Sequence, residues 1–341
     1  MAKKNFIENP PEIISIMGTI DTYLRWREKN KDPRGYEIYH PSSFGKCLRN
    51  MQYKRYAAMG LIKEDSEEFD SKMLRLFETG HHTQSRWEKY FTDMGILRGI
   101  WACANPFCSK FDENSKYTSE EGSGKSRIYG LDDKLGCFKP EKCDCGCERF
   151  FYDELSVGDK ELNLYGHSDM VLDYSRFDPE KYKGVLQTFD VLSLPSCPIV
   201  ADMKTIKAKR FDGMVKFGKP PSFEYQIQLQ IYMNMLGCDY GMLIYECKDD
   251  SRTAAYKIEK NPDHWEIIKS QAKKMNEMVI AKKEDGTPLR ILPPPRPRDK
   301  TSWECNYCGF NKMCRVSSVW DDPNIDSKRK NFYGDLLDED E

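Results

Sequence analysis

In Ile199-Val200-Ala201-Asp202-Met203-Lys204-Thr205 an acid and a lysine stand two residues apart at the end of an apolar run. On a β-strand, positions i and i+2 share a face, so Asp202 and Lys204 reach one point in space beyond the run 197–200. A carboxylate beside an ammonium suits metal-assisted hydrolysis. The acid holds a divalent cation, while the lysine orients or helps to deprotonate an attacking water and offsets charge developing on a phosphate. Upstream, the segment 164–173 reads as a strand with Gly166 where close backbone approach is needed, followed by Asp169. A second acid from an adjacent strand makes a hard, oxygen-rich site of the kind magnesium or manganese prefers. Downstream, 222–237 has the apolar spacing of a helix closed by Gly237, and Gln228 and Tyr232 share one of its faces. Read singly, Asp-x-Lys describes a surface ion pair, and Gln228 and Tyr232 a solvated amide and a core ring. The order acid, acid-x-lysine, Gln-x-x-x-Tyr singles them out.

Gly166-x-x-Asp169, Asp202-x-Lys204 and Gln228-x-x-x-Tyr232, in that order, resemble the PD-(D/E)xK nuclease superfamily. Within it they are most similar to the RecB/AddB-like branch, which includes the CRISPR-adaptation exonucleases and related phage exonucleases. The resemblance implies an α/β chain with a restriction-endonuclease-like core, a mixed central sheet flanked by helices. It also implies a Mg2+- or Mn2+-dependent deoxyribonuclease acting on single-stranded DNA or DNA ends. Asp169, Asp202 and the backbone carbonyl of Met203 then hold the metal, Lys204 activates water, and Gln228 and Tyr232 support the substrate or Lys204. The family's Gly-x-x-x-His helix corresponds here to 80–88, where the histidine position holds Gln84. Three readings stay open. Gln84 offers an amide oxygen to the metal, or His81 substitutes through a shifted helix face, or Asp169, Asp202 and the Met203 carbonyl act alone. Glu88, one turn beyond Gln84, is a further acid or a solvated glutamate. The Gln84 departure favours the alternative function, a catalytically inactive metal-stapled DNA-binding or adaptor protein on the same scaffold.

Thirteen cysteines in a chain that starts Met1-Ala2-Lys3-Lys4, with no signal peptide, point to a reducing compartment: a bacterial cytoplasm, or a host cytoplasm if phage-encoded. Clustered cysteines there bind metal more often than they form disulfides. Cys305, Cys308 and Cys314 put three thiolates into a short segment, and the resemblance supplies a fourth, Cys47 in Ser43-Phe44-Gly45-Lys46-Cys47. It implies a [4Fe-4S] staple joining the N- and C-terminal segments, although Zn2+ fits four thiolates as well. Cys103-x4-Cys108, with Cys143, Cys145 and Cys147 beyond a polar loop, reads as a zinc ribbon inserted into the nuclease domain. Its expected ligands for a structural Zn2+ are Cys103, Cys108, Cys143 and Cys145, with Cys147 as the alternative mate of Cys145. Cys197, Cys238 and Cys247 read as small core residues.

These sites need elements to position them. Helices are expected over 12–29, 43–56, 69–94, 222–237 and 261–282, and strands around 165–172, 184–192, 198–203, 241–247 and 253–258, with a proline-rich linker at 293–298. The domain layout is an N-terminal helical part of the nuclease domain (1–100), the ribbon (101–151), the nuclease core (152–290), the linker and cysteine segment (291–320) and an acidic tail (321–341). With 341 residues, 32% charged and 39% hydrophobic, no apolar run reaches membrane-spanning length. The formal charge of −2 becomes about +3 once the terminal acids Asp335, Asp338, Glu339, Asp340 and Glu341 are set aside. Such a tail solubilises, binds a partner protein, or folds over the DNA channel. Lys204, Lys207, Lys209, Arg210, Lys216 and Lys219 run out of the catalytic strand, as a phosphate-tracking segment or a solvated loop.

Overall fold

The computed structural model describes residues 17–31, 35–65, 69–105, 107–108, 127–182, 197–278, 303–316 and 325–333. The start of the first expected helix, the strand expected at 184–192, the proline linker and residues 334–341 of the acidic tail lie outside these residues, whereas 325–333, expected as part of a flexible tail, form a helix whose Phe332 and Tyr333 are buried in the core.

Four helices come first: α1 (Met17–Lys29), α2 (Pro41–Phe44), α3 (Leu48–Ala58) and α4 (Ser71–Asp93). The start of α4 is fixed by Asp70, whose carboxylate accepts from the Met73 N–H at 2.7 Å. Then follow β1 (Leu97–Cys103), β2 (Ile128–Tyr129), β3 (Cys137–Phe138), β4 (Phe150–Asp153), β5 (Leu155–Asp159), β6 (Leu164–Ser168), β7 (Met170–Leu172) and β8 (Ile199–Ile206). The chain continues through α5 (Ala208–Phe217), α6 (Phe223–Leu236), β9 (Tyr240–Cys247), β10 (Thr253–Glu259) and α7 (Pro262–Glu277) to three short helices, α8 (Trp303–Asn306), α9 (Asn311–Val316) and α10 (Ile325–Tyr333).

The central sheet runs β10-β9-β8-β7-β1, with β2, β3 and β4 also paired to β1. It is mixed: β8 and β9 are parallel and the other pairs antiparallel. The parallel pair is bridged by α5 and α6, the kind of crossover such a pair requires. Helices cover both faces, which is why the first five residues of β8 are all buried. On one face Trp87 and Phe91 of α4 pack on Met170, Ala201 and Met203. On the other, Leu229, Tyr232 and Met233 of α6 pack on Val171, Val200 and Leu243. Among the described residues no helix is long and apolar enough to cross a membrane.

Three local departures from the sequence expectations bear on the site. The helix expected over 43–56 is two helices, broken so that Cys47 stands at the N-cap of α3. The break follows from packing, because Gly45 is pressed on α6 so closely that a Cβ there would lie 2.2 Å from the Glu224 Cα. Gly45→Ala is therefore expected to destabilise the protein by about 2–3 kcal/mol, read as a lowered urea midpoint; an unchanged midpoint would mean that α2 shifts freely. The strand expected over 165–172 is also two, β6 pairing with β5 and β7 with β8 and β1, with Asp169 at the junction. Finally, β1 was not anticipated, and it runs from the sheet into the ribbon segment, so ribbon and core share a strand.

Candidate active site

The register of two short strands brings the acids together. Met170 of β7 pairs antiparallel with Ala201 of β8, which sets Asp169 opposite Asp202 on the face covered by α6. Asp202 is only 1% exposed. Its Oδ1 accepts from Lys204 Nζ at 2.7 Å, while its Oδ2 is buried with no hydrogen-bond partner. Burial, reinforced by Asp202, raises the Asp169 carboxyl well above the ordinary carboxylate range. For Lys204, burial favours the neutral amine, but Asp202 and Asp169 outweigh it and its pKa rises. Two facing carboxylates and an orphaned buried oxygen form a donor set that fits a hard divalent ion. The Met203 side chain is buried on the α4 side, leaving its backbone between the two site residues. The Tyr152 hydroxyl donates to the Asp169 carbonyl at 2.8 Å, fixing the junction of β6 and β7.

Gln84 and Glu88 reach the same region from α4. Gln84 Nε2 donates to Glu88 Oε1 and to Glu154 Oε1, both at 3.0 Å. Carboxylates accept, so the amide turns its nitrogen to them, and Gln84 steers both acids here. Burial raises the Glu88 pKa, against the opposing Gln84 hydrogen bond. His81 is exposed on α4. Glu154, between β4 and β5, lies near enough to Asp169 and Tyr232 to act on both electrostatically. Sequence reasoning missed it; an acid directly after the aromatic-rich strand at 150–153 was the available signal. Glu154→Gln is expected to lower cleavage or metal affinity about 10- to 100-fold, as removal of a supporting carboxylate does, and unchanged values for both would exclude Glu154 from the site.

From α6, Gln228 and Tyr232 are both buried, and Gln228 lies near enough to Tyr232 to lower its pKa against burial. Burial and the two aspartates raise the Tyr232 pKa. A Cβ on Gly166 would lie 2.6 Å from Pro41 Cδ and 3.3 Å from the Tyr232 hydroxyl, so the glycine gives the close approach its position suggested. Lys204 Nζ also sits 5.0 Å from the centre of the Tyr225 ring.

Two cysteine groups are assembled elsewhere in the chain. The sulfurs of Cys103, Cys108, Cys143 and Cys145 all lie within 4.8 Å of one another. The Cys103–Cys145 and Cys108–Cys143 separations are 3.6 Å and 3.8 Å. Four sulfurs at about 2.3 Å around tetrahedral zinc stand about 3.8 Å apart, so this group fits such an ion. Gly146, with φ +88°, turns the knuckle. The Asn105 amide lowers Cys145 to about 6, and Cys147 Sγ faces the Arg149 carbonyl at 3.4 Å. In the second group, burial pushes the Cys47 thiol up to about 12, opposed by the nearby Asn50 backbone and added to by Cys308, Cys314 and Cys305. Asn50 Nδ2 donates to Cys308 Sγ at 3.1 Å. The buried Arg49 guanidinium beside them leaves Nη1 without a partner, a cation suited to the net negative charge of a tetrathiolate complex. Cys238 and Cys247 are buried core residues, whereas Cys197, expected with them, is only half-buried just before β8.

The structure thus brings acids from neighbouring sheet positions, an Asp-x-Lys strand and a Gln–Tyr helix to one face of the sheet, and the chain is similar to a known exonuclease. The CRISPR-associated exonuclease Cas4 of Saccharolobus solfataricus is 26% identical to it over 161 residues, which is 47% of this chain and 56% of that protein. The chain thus spans about half the length of the curated relative it matches. No family model matches. Among solved structures, SSO0001 is 14% identical with a TM-score of 0.40, covering 88% of this chain and 95% of that one. The alkaline exonuclease LHK-Exo of Laribacter hongkongensis in complex with dAMP is 11% identical with a TM-score of 0.33, covering 71% and 87%.

Proposed function

We propose that this chain is a divalent-metal-dependent DNA exonuclease with a restriction-endonuclease-like core, acting on single strands or free ends. The observation that carries the reading is the β7–β8 register, which sets Asp169 against Asp202 with Lys204 2.7 Å from the latter. The similarity to a curated exonuclease supports it. Asp169, Asp202 and the Met203 carbonyl would hold Mg2+ or Mn2+, which when bound polarises the scissile phosphate and acidifies a water. Lys204, charged and held by Asp202, orients that water and offsets the charge that develops on the phosphate. Tyr225 and the Gln228–Tyr232 pair fix the lysine side of the site, and Gln84 fixes Glu88 and Glu154 at the other. Cys103, Cys108, Cys143 and Cys145 would hold structural zinc. Cys47, Cys305, Cys308 and Cys314 would hold a [4Fe-4S] cluster, a reading supported by the last three lying near enough to Cys47 to raise its pKa.

The test is cleavage in manganese of end-labelled linear single strands, linear duplexes and closed circles. Shortening of linear DNA with circles spared supports the reading. Nicking of circles makes the enzyme an endonuclease, and no cleavage of any substrate turns it into a DNA-binding or adaptor protein. Iron and sulfide in brown, anaerobically purified protein, lost in Cys308→Ser, would support the cluster assignment.

A further inference from the structure

The helix that follows the catalytic strand ends on a side chain that no folding argument accounts for. Phe217, the last residue of α5, is 77% exposed, whereas Phe211 and Met214 of the same helix are buried. Gly218 takes the left-handed conformation, φ +65°, and stops the helix there, so the ring is held at a helix end. Around it the chain is strongly cationic. Lys207, Lys209, Arg210, Lys216 and Lys219 stand against the single acid Asp212, which is shared by Lys216 at 3.3 Å and Arg252 at 2.8 Å. Among the described residues Lys207, Lys209 and Lys219 form no ion pair. The place is also specific: β8 runs from Asp202 and Lys204 directly into α5, Arg210 is hydrogen-bonded to Ser222, and just beyond it Tyr225 touches Lys204.

We propose that Phe217 is a base-stacking residue, packing on an unpaired nucleobase of the strand whose phosphates follow the α5 lysines toward the acid pair. The inference rests on the nuclease reading above and adds to it the state of the substrate. A solvated ring among unpaired lysines fits a ligand that is at once polyanionic and aromatic, and single-stranded nucleic acid is both. Within a duplex the base faces are already stacked, so Phe217 selects a single strand or a frayed end. An anionic lipid surface is also negative and apolar, but the continuity of α5 with the catalytic strand favours nucleic acid.

Full-length protein without added divalent metal, titrated with a fluorescent single-stranded oligonucleotide and with an abasic oligonucleotide of equal length, tests this. Phe217→Ala should bind the base-bearing strand about ten-fold more weakly, the effect of losing one stacked base, and Phe217→Trp should restore binding. The abasic strand should bind both proteins equally, with the salt dependence unchanged because no phosphate contact is lost. Equal binding of wild type and Phe217→Ala to the base-bearing strand, or equal weakening on the abasic strand, overturns the proposal. So does a Phe217 dependence confined to phosphatidylserine vesicles. The nuclease reading fails separately, by absence of cleavage in manganese, and the binding comparison still decides Phe217.

Discussion

Asp202→Asn is expected to reduce DNA cleavage by at least about a thousand-fold, roughly 4 kcal/mol of lost transition-state stabilisation, without unfolding the protein. One carboxylate carries two tasks: Oδ1 anchors Lys204 at 2.7 Å, and the buried, unpartnered Oδ2 faces the position a cation would take. The amide keeps the shape of the side chain and loses the charge that both tasks need. The fold survives because metal-free wild-type protein already confines two facing carboxylates beside one lysine, and removing one charge relieves their repulsion while Asp169 still compensates Lys204. The stabilisation that manganese confers on wild type should vanish with the activity, since it arises from binding to the folded site. Initial cleavage rates and melting curves with and without manganese check both statements. A variant that retained more than a tenth of the rate, or that manganese stabilised as it does wild type, would remove Asp202 from the metal site.

Cys143→Ser should release one metal equivalent and cost at least about 4 kcal/mol of stability, because binding energy at a structural tetrathiolate is folding energy. Cys147→Ser should do neither, since that sulfur faces a backbone carbonyl and lies outside the four-sulfur group. Metal content by elemental analysis and thermal unfolding of the two variants make the comparison. Equal loss in both, or in neither, would refute the ligand set. The effect should also reach catalysis. Cys103 closes β1, β4 pairs along it from Cys103 to Ile100, and Tyr152 of β4 holds the Asp169 carbonyl. Cleavage should therefore fall in Cys143→Ser even where the remaining sheet is folded.

What could be read in the chain was what is local. Asp202 and Lys204 share a strand, Gln228 and Tyr232 share a helix, and each pair declares itself by its period. The start of α7 was equally plain: Asn261 accepts from the N–H groups of Asp263 and His264 ahead of the helix, with Pro262 in its first turn. What escaped depends on contacts made across the fold. β1 reads Leu-Arg-Gly-Ile-Trp-Ala-Cys, in which Arg98 and Gly99 interrupt any alternation. Gly99 is needed because a Cβ there would lie 2.3 Å from the Tyr152 ring, and Arg98 because its guanidinium pairs with Asp173 at 3.1 Å. Glu154 bears no periodic relation to Asp169 and meets Gln84 only through tertiary packing. The split at Gly45 is dictated by α6, nearly two hundred residues away, and Gln84 took its role as a donor from two acids on different elements.

The ladder between β7 and β8 is only three pairs long, Met170 to Leu172 against Ala201 to Ile199, and because a strand alternates faces, a frame offset of a single position would turn Asp202 toward α4. Tolerance to insertions and deletions should therefore change abruptly at one peptide bond. One extra residue between Ile199 and Asp202 should disarm the molecule while leaving most of its sheet able to form.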